Sequence, residues 1–251
     1  MTLDDFFRQN PRAALAFSGG VDSACLLWAG VRAGAEVQPY FVKTPFQPRF
    51  ELEDARRLCA QLDVDLVVLD YDILSDENVA ANPPDRCYYC KRRLFSHLKR
   101  YAASEGFSLL LDGTNASDDG GDRPGMRALR ELEVRSPLRE CGLTKEMVRA
   151  LSREAGLFTW DKPSYACLAT RVPTGRAIAL SDLEKVERGE EALAGLGFVD
   201  FRLRLTPDGC KLQVLEGQFP LALERREDIL SVLEGDFPQI TLDLRPRIPI
   251  D

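Results

Sequence analysis

Short unbroken apolar runs alternate with stretches in which apolar residues recur every three or four positions, and this alternation persists through most of the chain. Ala13–Phe17, Val37–Val42, Leu66–Leu69 and Leu109–Leu111 are predicted strands. Their lack of polar alternation suits parallel strands covered on both faces. Between them, residues 23–33, 50–62 and 86–103 carry the helical period; in the second stretch it is marked by Leu52, Ala55, Leu58, Cys59 and Leu62. Val134–Leu138 is expected to return to the sheet, and Thr144–Ala155 to form a helix with Thr144 as N-cap. Strands joined through helices imply right-handed crossovers. The fold class is therefore α/β, a Rossmann-like doubly wound parallel sheet with ligands at the carboxyl ends of its strands. After Pro173-Thr174-Gly175 the pattern changes. A charged helix over 181–196 is expected, with Ser181 and Glu184 as a capping box. A hairpin of 201–205 and 211–215 about Pro207-Asp208-Gly209 follows, then a helix near 221–233 and a strand near 240–244. Two domains are expected, 1–175 and a small α+β domain over 176–251, with no internal repeat.

The junction between the first strand and its helix reads Ser18-Gly19-Gly20-Val21-Asp22-Ser23. Glycines let the backbone approach a phosphate closely, and the N–H groups at a helix start point at it. Ser18 and Ser23 add hydroxyls, and Asp22 is a candidate Mg²⁺ contact on the phosphates. The stretch lacks the Gly-Lys-Ser/Thr of a Walker A loop and is no GxGxxG fingerprint. An ordinary glycine turn is the plain alternative. Asp112-Gly113-Thr114-Asn115 ends the fourth strand, so it should lie near that loop. Asp118, Asp119 and Asp122 follow it, and Asp118 with Asp22 is a candidate pair for Mg²⁺. Arg123, in Arg123-Pro124-Gly125, could neutralise phosphate charge. A solvated acidic loop is the alternative there.

Cys87 and Cys90, in Arg86-Cys87-Tyr88-Tyr89-Cys90-Lys91, are three apart at a helix start, which puts both sulfurs on one face. The helix start, Arg86 and Lys91 favour thiolates. A redox pair, a structural zinc site and two core cysteines all remain open, although zinc would need ligands that no second CxxC or His pair supplies. Residues 160–175 form a long non-periodic connection in which Cys167 sits between Lys162 and Arg171. That placement makes it a candidate nucleophile or metal ligand.

Composition changes the picture little. The chain has 251 residues, 45% of them hydrophobic and 29% charged, as in ordinary globular proteins. Met-Thr-Leu-Asp-Asp does not begin an export signal, and no apolar run approaches the ~18–20 residues of a membrane span. A cytoplasmic setting without membrane contact is expected. Seven cysteines suit a reducing compartment better than a disulfide framework. A net charge of −7 argues against a long nucleic-acid footprint. His97 is the sole histidine, so a metal site would be built from thiolates and carboxylates.

The Ser18–Ser23 loop resembles the pyrophosphate (PP) loop of the N-type ATP pyrophosphatases. Together with Asp112–Asn115, Arg123-Pro124-Gly125, Arg135-Ser136-Pro137-Leu138, Pro163-Ser164-Tyr165-Ala166-Cys167-Leu168 and Phe201-Arg202-Leu203-Arg204, it makes nearly the whole chain resemble the LarE family. Members of that family are ATP-dependent sulfurtransferases that help build the nickel-pincer cofactor of lactate racemase. The resemblance implies adenylation of a carboxylate of pyridinium-3,5-dicarboxylic acid mononucleotide, loss of pyrophosphate, and displacement of AMP by sulfur to give a thiocarboxylate. It implies ATP at Ser18, Gly19, Gly20, Val21, Asp22, Ser23, Gly113, Thr114 and Arg123, with Mg²⁺ on Asp22 and Asp118. It places Asp22, Lys91, Cys167 and Glu190 in the chemistry and Arg202 and Arg204 on the substrate phosphate. Those two arginines lie two apart on a predicted strand and so share a face. Sacrificial members give up the sulfur of the loop cysteine and lack the CxxC pair. Here Cys87, Cys90 and Cys167 resemble the cluster-binding subgroup, in which three Cys hold a [4Fe–4S] cluster and leave one iron open for an extra sulfide. A homo-oligomer and transient contacts with enzymes of the same cofactor pathway are expected. A tRNA thiolase of the same superfamily and a non-catalytic nucleotide or Fe–S binding module are the alternatives.

Overall fold

In the computed structural model, residues 1–118 and 124–248 are described. The chain runs α1 (Leu3–Gln9), β1 (Arg12–Ala16), α2 (Val21–Arg32), β2 (Glu36–Lys43), α3 (Arg49–Gln61), β3 (Val67–Asp70), α4 (Glu77–Ala80), α5 (Arg86–Ser104), β4 (Leu110–Leu111), α6 (Pro124–Glu131), α7 (Pro137–Glu140) and α8 (Lys145–Glu154). It continues with α9 (Leu180–Gly195), β5 (Arg202–Thr206), β6 (Gly209–Gln213), α10 (Phe219–Glu224), α11 (Arg226–Leu233) and β7 (Ile240–Leu242). Two compact units divide it. The first comprises 1–73 and 85–162, the second 74–84 and 163–251. The division thus falls after Lys162, where composition alone suggested 175, and the short segment 74–84 goes with the second unit.

The first unit is a four-stranded parallel sheet in the order β3-β2-β1-β4. Its strands are mostly apolar in their middles, with polar residues such as Arg12, Glu36, Lys43 and Asp70 at their ends, because both faces are covered. Ala13 and Leu15 of β1 join a core with Phe6, Phe7, Leu26, Leu27 and Leu58, while Ala14 faces Tyr40, Leu98 and Ala102 on the other side. Helices on both faces make this a Rossmann-like α/β unit. Strand order reverses between β1 and β4, so the ligand crevice of such a sheet lies between the loops that follow those two strands. The expected return of 134–138 to the sheet shrinks to one parallel bridge, Leu111 to Arg135, because Pro137 opens α7 at once.

The second unit is a three-stranded sheet, β5-β6-β7, with β5 and β6 antiparallel and β6 and β7 parallel. The Ser181 capping box does not form. α9 starts at Leu180 from an Ala179 cap without a side-chain bond, and Asp182 in its first turn accepts a 2.8 Å hydrogen bond from Arg176. Ile178 N donates to Ala80 O at 2.7 Å just before the helix, which sets the entry earlier than the hydroxyl would. The single helix expected over 221–233 is two, broken at Arg225. Thr144 does cap α8, accepting from Met147 N. Among the described residues no helix is long and apolar enough to cross a membrane.

Candidate functional site

The loop after β1 is held open as an anion cradle. Gly19 has φ +71°, and a Cβ on it would come within 3.0 Å of Ala55 N in α3, so only glycine lets the loop lie that close. Ser23 Oγ donates to Gly20 O at 3.2 Å and lies 3.2 Å from Ser18 Oγ. Gly20 caps α2 with no side-chain hydrogen bond, which leaves its first N–H groups available to a ligand. The loop after β4 presses against this helix start. A Cβ on Gly113 would sit 2.9 Å from Ser23 N. Asp112 is buried and accepts from the hydroxyls of Thr114 and Ser136, the latter at 2.6 Å, which fixes the chain direction there.

Both loops line one cavity of about 550 Å³. Ser18, Asp22 and Ser23 contribute from the first, Asp112, Gly113, Thr114 and Asp118 from the second, and Cys87 and Lys91 from α5. Asp22 is engaged on both oxygens. Asn115 Nδ2 donates to Oδ1 at 3.0 Å, and Lys145 Nζ pairs with Oδ2 at 2.6 Å. Asp118 accepts from Asn115 N at 2.9 Å, and its own N–H returns to Asn115 Oδ1. These carboxylates are hard oxygen donors beside a phosphate cradle, which suits Mg²⁺ held by one or two carboxylates and the nucleotide itself. Arg123, Asp119 and Asp122 lie outside the described residues.

At the start of α5, Arg86 is buried, donates to Cys87 Sγ at 3.8 Å, and has an Nη1 without a hydrogen-bond partner. Cys87 is exposed and Cys90, one turn on, is half-buried. Cys167 belongs to the second unit. Among the described residues no group of three or more His, Cys, Asp and Glu side chains is arranged to hold a metal ion, and none of the seven cysteines forms a disulfide.

In the second unit Glu190 is the hub. Its Oε1 accepts from Arg171 Nε at 2.7 Å and Leu203 N at 2.9 Å, and its Oε2 from Tyr165 Oη and Arg171 Nη2. Arg171 has a fully buried side chain. Burial opposes its charge, but the hydrogen bonds and charge of Glu190 outweigh it and leave its pKa above the ordinary value. Arg171 also binds Ala166 O and Thr170 Oγ1, strapping the turn on which Cys167 sits. Arg202 donates to Ser164 O at 2.8 Å and Arg204 to Thr170 O at 2.7 Å, so both face the Cys167 loop. Burial first, then Arg171 and Arg247, push Arg202 down to about 10; the same causes lower Arg204. Arg171 pairs with Glu190, Arg202 and Arg247 share Asp200, and Arg204 binds Gln213 and Thr170 O, an excess of positive charge that suits an anion.

No protein-family model matches the chain. It is 34% identical over 248 residues to an uncharacterised protein of Synechocystis sp., covering 96% of this chain and 92% of that one. It is 32% identical over 246 residues to the pyridinium-3,5-bisthiocarboxylic acid mononucleotide synthase of Lactiplantibacillus plantarum, covering 97% of this chain and 89% of the relative. The chain belongs to the LarE family of ATP-dependent sulfurtransferases. A tRNA-specific 2-thiouridylase of Dichelobacter nodosus is more distant, 27% identical over 191 residues and half of its length, and marks the wider PP-loop superfamily.

For a LarE-type chain the first unit gathers Ser18, Asp22, Ser23, Lys91, Gly113, Thr114 and Asp118 on one cavity, with Cys87 among them. Gly19 and Gly20 shape the loop without lining it, and Val21 is buried as the first residue of α2. The second unit gathers Glu190, Arg202 and Arg204 about the Cys167 loop. Sequence reasoning missed Lys145, which lies 123 residues from Asp22 along the chain. It also missed Arg171 as the partner of Glu190; the Arg of Ala-Cys-Leu-x-x-Arg-x-Pro was the available signal.

Proposed function

We propose that this LarE-family chain adenylates a carboxylate of pyridinium-3,5-dicarboxylic acid mononucleotide and replaces the adenylate with sulfur. The observation that carries this reading is the cavity at the β1/β4 crevice, where a phosphate cradle, Asp22, Lys91 and a cysteine face one space. A carboxylate is a poor electrophile. Attack of its oxygen on the α-phosphorus of ATP expels pyrophosphate, and the mixed anhydride then has a good leaving group. The N–H groups of Gly20–Ser23 stabilise charge on the departing pyrophosphate, and Lys91 offers a cation on the same cavity. Bound Mg²⁺ would add Lewis-acid stabilisation of the same charge, held by Asp22 and Asp118. Arg202 and Arg204 would clamp the mononucleotide phosphate beside Cys167. Attack of sulfur on the acyl carbon expels AMP and leaves the thiocarboxylate.

For the sulfur source the donor set Cys87, Cys90 and Cys167 favours a [4Fe–4S] cluster with one open iron, which would supply sulfide and spare the loop cysteine. Thiolates are the donors such a cluster takes, and two of them share one helix face. The test is pyrophosphate release from ATP by anaerobically purified protein, with the pyridinium mononucleotide, with tRNA and with neither. Release stimulated by the mononucleotide alone is expected, and the mass of Cys167 should be unchanged after turnover. Stimulation by tRNA alone would overturn the substrate, and conversion of Cys167 to dehydroalanine would overturn the cluster route.

A further inference from the structure

Resting on the nucleotide site described above, we propose that Lys145 is its positioning residue: an internal cation that pairs with Asp22 and gives place to the metal that arrives with ATP. Three observations carry it. The ammonium meets Asp22 Oδ2 at 2.6 Å, with both side chains well shielded, 12% and 23% exposed. This is drier than surface ion pairs of the chain such as Arg8–Asp5, whose side chains are 70% and 38% exposed.

The second observation is where Lys145 sits. It is the first residue of α8, at the positive end of the helix dipole, where a cation is disfavoured. Its backbone is tied to the β4 loop, since Lys145 N donates to Ser117 Oγ at 2.9 Å and Ala116 N donates to Leu143 O at 2.7 Å. A residue fixed against its local electrostatic preference, and aimed at the one carboxylate of the cradle, has its compensation in Asp22.

The third is charge. Asp22 lines the cavity that would take a polyphosphate, whereas Lys145 reaches that cavity only through Asp22. Unpaired, the carboxylate would repel phosphate; paired, it is neutral to an incoming anion. Mg²⁺ bonded to Asp22 at about 2.0–2.1 Å would stand beside the ammonium on the same carboxylate, where the two cations repel each other. Lys145 and Mg²⁺ therefore compete for Asp22. Removal of the lysine must weaken binding of metal-free ATP far more than binding of MgATP.

The experiment is calorimetric titration of parent, Lys145→Met and Lys145→Arg with ATP, once in EDTA and once in excess Mg²⁺. Lys145→Met should lose at least about tenfold (about 1.4 kcal/mol) more affinity for metal-free ATP than for MgATP. Lys145→Arg, which keeps the charge, should show no such split. Equal losses in both titrations mark a merely structural role and overturn the proposal, as do unchanged affinities or a parent that binds no metal-free ATP. If Lys145→Met does not fold, Lys145→Gln takes its place, and failure of both to fold also overturns it. A parent that binds neither form of ATP would instead remove the nucleotide site on which the proposal rests.

Discussion

Asp22 and Glu190 are both acidic residues paired with a cation, one in each unit, and their surroundings give them opposite characters. Asp22 is half-buried, has one ammonium and one amide donor, and borders an open cavity. Glu190 is buried, and four bonds from Arg171, Tyr165 and Leu203 N converge on it. A carboxylate with few donors beside a cavity can exchange partners. One wrapped on all sides has no partner to give up and acts as a fixed point, and its role in sulfur transfer would be to hold Arg171 and the Cys167 loop in place.

The largest effect should come from breaking the closed pair. Glu190→Ala leaves the Arg171 guanidinium buried without its counter-charge, and loss of one partner of a buried pair costs about 3–5 kcal/mol. Urea unfolding should show that loss. A variant with unchanged stability and lost activity would mean that Glu190 works directly on substrate. Asp22→Ala should do the reverse. Pyrophosphate release should fall by about 100-fold, the scale of losing one charge-stabilising group in a prepared site, with little change in the unfolding midpoint. Near-normal release would erase the contrast between the two carboxylates.

The smallest effect concerns thiols, and it extends the same open-against-closed contrast. Burial pushes Cys59 and Cys210 up to about 12 and Cys25 up to about 11, from an ordinary 9.0. The unfolded chain releases these protons near pH 9 while the folded chain keeps them. Their contribution to stability is therefore full below pH 9 and is lost as pH rises toward 11–12. At pH 8 an alkylating agent should mark exposed Cys87 well before those three, read by peptide mass spectrometry. Equal labelling of Cys59 or Cys210 would show that α3 or the β5/β6 hairpin opens readily.

Much of the first unit was legible because its signals are local. The apolar strands, the Thr144 cap and the Ser18–Ser23 junction each depend on neighbours a few residues away, and each appears within a residue or two of its expected place. Ser181 and Glu184 also made a good local pattern. It lost to a tertiary one, the bond from Ile178 N to Ala80 O and the Arg176–Asp182 pair. Lys145 carried no signal because its meaning comes from Asp22, on a different helix and far back in the chain. Glu190 and Arg171 each stood out in the sequence, but their pairing did not, since it joins residues 19 apart through the fold of the second unit.

The segment 74–84 has a consequence for how the protein is made. It is translated before residues 85–162, yet its partners come later: Gly175 N binds Asn82 O at 2.8 Å, and Asn82 Nδ2 binds Pro173 O at 2.9 Å. As the nascent chain leaves the ribosome, the second unit cannot close until Pro173–Ile178 has emerged. The first unit has by then received its last residue, Lys162. Assembly is thereby staged in time, with Asn82 and Ala80 waiting as half of an unmade joint. A gene cut after codon 162 would deliver the sheet domain with that joint permanently unmet.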